Sequence, residues 1–79
     1  MASRFQRDFG ERIRSLREDT GLSQEALAAT AGLHRTHISL IERGQRAVRL
    51  PTIERLAIAL GVQPAEMMPT VSFRRSRRP

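Results

Sequence analysis

The chain has 79 residues, no cysteine, and 14 basic against 8 acidic side chains, a formal net charge of +6 at pH 7. That length makes a single domain with a limited core, and the missing cysteines exclude disulfides and thiolate metal sites as supports for it. No apolar run is long enough to cross a bilayer and Met1–Phe9 does not read as a signal peptide, so a cytoplasmic protein is expected.

Phe5, Phe9, Ile13 and Leu16 recur at helical spacing and predict an opening helix with one apolar face. Gly10 weakens that helix without ending it, and Gly21 closes it in the left-handed conformation. Ser23 is a good cap for a second helix, with Leu22 and Leu27 placed as a hydrophobic staple across it and Glu25 suited to the helix dipole. Small side chains at Ala26, Ala28, Ala29 and Ala31 permit close helix packing, and Gly32 breaks the segment. A third helix follows from a weaker cap at His34, with Ile38 and Ile41 inward and Arg35, Thr36, Ser39, Leu40 and Arg43 outward, as far as Gly44.

Gln45–Pro51 reads as a basic loop, with Thr52 as the cap of a fourth helix. Ile53, Leu56, Ala57 and Leu60 form its apolar stripe, and Gly61 ends it. Gln63, Pro64 and Glu66 have the spacing of a cap, a first-turn proline and a capping glutamate, so a short fifth helix precedes Pro69. The remainder, 70–79, is an arginine-rich tail expected to fray beyond a core at about 5–69. The fold class is therefore all-α: a compact five-helix domain, with no strand and no second domain.

The second and third helices carry the chemistry. Two short helices at a fixed angle, the second presenting hydrogen-bonding groups at Arg35, Thr36 and His37, form a shape that fits a DNA major groove. All 14 basic residues are arginines, whose planar fork matches phosphate oxygens and the guanine edge. The positive balance draws the chain toward polyanions. No glycine-rich phosphate loop appears and His34 and His37 have no third metal ligand, so neither an enzyme, a cofactor nor a metal site is expected.

The order Ser-Gln-Glu-Ala-Leu-Ala from Ser23, Ala-Gly-Leu from Ala31, a polar triplet, then Ile-Ser-Leu-Ile-Glu-Arg-Gly from Ile38 resembles the Cro/repressor-like helix-turn-helix family of bacteria and phages. The resemblance runs from about Ile13 to Met68 and includes the later Ala-Leu-Gly-Val at Ala59–Val62. The stretch 34–62 is similar to the controller proteins of restriction–modification systems. An antitoxin that autoregulates, or a phage-type repressor, shares many of the same residues.

The resemblance implies a lambda-repressor-like domain acting as a transcriptional regulator. Arg35, Thr36, Ser39 and Leu40 are then expected at base edges; Thr36 and Leu40 suit a thymine methyl, and Thr36 equally a phosphate. Gln24, His37, Arg43, Arg46 and Arg49 are expected along the sugar–phosphate backbone. The family also implies an ion pair between Arg17 and Glu42 that ties two helices together. One short helix reads few bases, so a homodimer on a palindromic duplex operator is expected, with RNA polymerase as a further partner. Val62, Met67, Met68, Val71 and Phe73 are the apolar candidates for its interface.

Overall fold

The computed structural model describes residues 3–71; Phe73 and the tail arginines lie outside the described residues. The chain runs through α1 (Arg4–Asp19), α2 (Gln24–Ala31), α3 (Arg35–Glu42), α4 (Leu50–Leu60) and α5 (Pro64–Met67). No strand occurs among the described residues.

Helix α1 starts where the Gln6 amide donates to Ser3 Oγ at 3.1 Å, a cap that satisfies one of the open first-turn donors. Its inward face is Phe9, Ile13 and Leu16, while Phe5 overhangs the core and is exposed. Helix α2 starts at Ser23, whose Oγ accepts from the Ala26 amide at 3.0 Å. Across that cap Leu27 is fully buried and Leu22 packs against the core. Ala28 and Ala31 are buried too, and their short side chains allow α2 to pack against both α3 and α4.

Helix α3 has no side-chain cap; the His34 carbonyl accepts from His37 and Ile38 at 2.9 and 3.2 Å. Ile38 and Ile41 leave almost no surface exposed. They meet Ile13, Leu27, Leu56 and Met67 in one cluster built from all five helices. On α5 the Gln63 amide donates to Glu66 Oε2 at 2.9 Å, and Arg12 Nε reaches the Glu66 carbonyl at 2.7 Å, fastening α5 to α1.

Two expectations are corrected. Helix α4 begins at Leu50 with Arg49 as its cap, two residues before Thr52 and with Pro51 inside the first turn. Proline lacks only an amide that has no partner there, and its fixed φ suits a helix start. Met67, expected at an interface between copies, is 0% exposed and belongs to the core. It has no surface to offer a partner.

The contact between α1 and α3 depends on bare backbone. A Cβ on Gly10 would stand 2.2 Å from the Ile41 carbonyl oxygen and 2.7 Å from that of Glu42. Gly44, at φ +71°, lies against α1 in the same way, its Cβ position 2.8 Å from Arg7 Cα. There Gln6 Nε2 donates to the Gly44 carbonyl at 2.9 Å. Gly10→Ala must therefore push α1 off the end of α3, although alanine is the better helix former. The expected loss is about 3 kcal/mol, at the upper end for overpacking because backbone cannot rotate away. Urea or thermal unfolding checks it; a more stable Gly10→Ala protein would remove the close approach.

Candidate nucleic-acid interface

Burying Ile38 and Ile41 turns the opposite side of α3 outward. Arg35 and Thr36 are exposed in its first turn, and Ser39 and Leu40 are half-buried farther along. Arg43 is exposed at its end, with Nε 3.4 Å from the Ser39 carbonyl. Arg46 and Arg49 are exposed on the connection to α4. Apart from Gln24 on α2, the candidates for base and backbone contact thus fall on one helix and the segment that leaves it.

His37 is half-buried beside this rim. Burial, followed by the charge of Arg46, lowers its pKa from the ordinary imidazole value. The shift favours the neutral ring, which offers a hydrogen-bond donor rather than a positive charge.

Beneath the rim, Arg17 of α1 grips Glu42 at the end of α3. Nε donates to Oε2 at 2.6 Å and a terminal guanidinium nitrogen to Oε1 at 3.0 Å. The other terminal nitrogen donates to the Leu22 carbonyl at 2.9 Å. The side chains are only 11% and 3% exposed. Hydrogen bonding to Glu42 raises the Arg17 pKa above its ordinary value, outweighing the opposite pull of burial. Gln24 Nε2 adds a third bond, 3.1 Å from Glu42 Oε1. Nothing in the spacing of Gln24 signals this inward bond.

Of the apolar interface candidates besides Met67, Val62 and Met68 are half-buried and Val71 is exposed. Ile58 on α4, which sequence reading passed over, is 75% exposed. Its signal was available, an isoleucine standing outside the stripe of Ile53, Leu56, Ala57 and Leu60.

Residues 8–68 match the family described as a helix-turn-helix domain. The chain belongs to the helix-turn-helix family. Control protein C.BamHI of Bacillus amyloliquefaciens is 49% identical over 61 residues, which are 76% of this chain and 75% of that protein. The crystal structure of the restriction-modification controller protein C.AhdI from Aeromonas hydrophila superposes with a TM-score of 0.79. It is 48% identical and the match covers 80% of this chain and 96% of that one. The controller protein C.Esp1396I, solved as a tetramer with its natural 35 base-pair operator, is 31% identical with a TM-score of 0.76, over 82% and 86% of the two chains.

In this helix-turn-helix the ion pair ties the end of α3 to α1 and, through the Leu22 carbonyl, to the turn before α2. No helix of the described residues is long and apolar enough to cross a membrane, and no group of three or more His, Asp or Glu there is placed to hold a metal. Glu42→Ala leaves Arg17 buried without its counter-charge. The expected loss is about 3–5 kcal/mol, enough to unfold much of a small domain. Chemical denaturation measures it, and a loss below about 1 kcal/mol would show that water reaches the pair.

Proposed function

We propose that the chain is a sequence-specific double-stranded DNA-binding transcriptional regulator without catalytic activity, and that it is the controller protein of a restriction–modification system. The observation that carries this is the presentation of α3. Its inner face is locked by Ile38 and Ile41, and its outer face is rimmed by Arg35, Arg43, Arg46 and Arg49. The similarity to controller proteins, one of them solved on its operator, supports the same reading.

In the proposed complex α3 lies in the major groove. Arg35 reaches O6 and N7 of a guanine, and Thr36, Ser39 and Leu40 meet neighbouring base edges. Gln24, His37, Arg43, Arg46 and Arg49 hold the phosphates and fix the register. Bound protein then recruits or blocks RNA polymerase in the cytoplasm.

Selection of bound duplexes from random DNA gives the operator. Arg35→Ala should then weaken operator binding about 10- to 100-fold and competitor binding much less, since a bidentate guanine contact discriminates by roughly 1–3 kcal/mol. Arg49→Ala should weaken both and lower the slope of log K against log salt by about one. Equal losses on both duplexes for Arg35→Ala would reduce it to a phosphate contact. No preference for any duplex would end the proposal.

Two copies related by a two-fold axis would place their α3 helices about 34 Å apart, one turn of the duplex. We place the contact on the outer face of α4 and the turn after it, where Ile58 and Val62 flank a shallow groove closed by Pro64. Ile58, 75% exposed, and Val62 stand side by side there as an apolar patch that a second copy would cover. Ile58→Asp should yield a folded monomer by analytical ultracentrifugation, with operator affinity down at least about 100-fold through loss of the second half-site. A dimer that survives the substitution would move the interface elsewhere.

A further inference from the structure

Three helices converge on one carboxylate. Glu42 is the last residue of α3, Arg17 belongs to α1, and Gln24 is the first residue of α2. Arg17 Nε occupies Oε2 at 2.6 Å, while Oε1 is shared by Arg17 at 3.0 Å and Gln24 Nε2 at 3.1 Å. A carboxylate paired with a guanidinium only accepts hydrogen bonds, so the Gln24 atom that faces it must be the amide nitrogen. One amide N–H is committed inward. Among the described residues nothing else takes the second N–H or the carbonyl oxygen, and neither is buried without a partner.

The consequence is a side chain at the edge of the contact surface that is already oriented. A glutamine on a surface normally samples several rotamers and loses that freedom on binding. Gln24 is half-buried and has one end tied to the buried Arg17–Glu42 pair. The Gln24 and Glu25 main-chain amides stand beside it, because Ser23 Oγ and the Ser23 carbonyl serve Ala26 and Leu27 instead. Glu25 in the same turn is exposed and repels an anion, so the donor there gains from being fixed rather than merely near.

We propose that Glu42 is a positioning residue for DNA binding: through the Gln24 amide it holds a neutral phosphate donor in place, so that the buried ion pair and the α2 backbone contact act as one unit. This rests on the duplex-binding reading above. It assigns Glu42 and Arg17 a part in affinity, beyond the structural role that their burial implies. It also makes a distinctive electrostatic statement. Gln24 carries no charge, so its contact contributes affinity without releasing an extra counterion, and loss of the contact leaves the salt slope alone.

The test is a double-mutant cycle on the full chain and its selected operator, with Gln24→Ala and Glu42→Asp made singly and together. Binding is read as a dissociation constant across a salt series, and folding by thermal unfolding at the assay temperature. Gln24→Ala in the parent should weaken operator binding about tenfold, as expected for a hydrogen bond to a charged group, with an unchanged salt slope. In the Glu42→Asp background the same change should weaken binding by about twofold or less, because the shortened side chain keeps the charge but withdraws the oxygens by about 1.5 Å, beyond reach of Gln24. If Glu42→Asp is unfolded at the assay temperature, Arg17→Met with Glu42→Leu replaces it, which removes the carboxylate without stranding the guanidinium.

A merely structural Glu42 would lower stability and leave the tenfold Gln24→Ala effect intact in both backgrounds, which overturns the proposal. A silent Gln24→Ala in a parent that still selects its operator overturns it as well, while leaving the regulator reading in place. A parent that prefers no duplex removes both, and is distinguished by the first titration.

Discussion

The buried charge pair between Arg17 and Glu42 is the constraint around which the rest of the domain is arranged. A pair this deep is not in itself a strong source of stability, because both ions give up water to form it. Apolar side chains of the same volume would fill the space about as well. They would not fix a direction. The guanidinium meets the carboxylate with two nitrogens and gives its remaining terminal nitrogen to the Leu22 carbonyl, at the turn between α1 and α2. An interaction of that geometry ties the end of α3 to α1 and to the turn before α2, and the angle between α2 and α3 is what a groove-binding motif must hold constant.

The two glycine contacts serve the same end by different means. At Gly10 the missing side chain lets α1 press directly on the last carbonyls of α3, and at Gly44 the chain leaving α3 folds back against Arg7. Helix α3 is thereby held at its C-terminus by α1 and along its inner face by the core, while its first turn stays open with Arg35 and Thr36 exposed. That division suits a recognition element, whose contact end must be free and whose remainder must not tilt. It also explains why a 16-residue helix is spent on bracing an 8-residue one.

Periodicity and capping were legible in the sequence because both are local. Ser23 with Leu22 and Leu27 marked the start of α2, and Ile38 with Ile41 marked which side of α3 faces inward. The start of α4 was misplaced because proline reads as a boundary and also fits the first turn, and only the neighbouring backbone decides between them. Apolar residues near the end of a short chain look surplus, which points Met67 toward an interface. Its burial depends on α5 folding back over α1 and α4, a long-range fact. Gly10 was read as a weak helix residue, since the carbonyls it meets lie more than thirty positions away. The pairing of Arg17 with Glu42 came from family resemblance, as no local pattern brings positions so far apart together. The inward bond of Gln24 had no signal of either kind.

The contrast between a rigid motif and a sparse outer face of α4 bears on how such a regulator responds to its own amount. Ile58 and Val62 offer a small apolar patch, far less than a permanent dimer buries. On the proposed reading the contact is therefore a weak one, and monomer and dimer exchange. Occupancy of a two-half-site operator then rises with roughly the square of the monomer concentration until the dimer dominates. The net charge of +6 per chain opposes pairing in free solution and is neutralised on the duplex, so DNA itself promotes the dimer. On that reading a stiff recognition unit joined by a weak contact converts a gradual rise in protein into a sharper rise in bound operator.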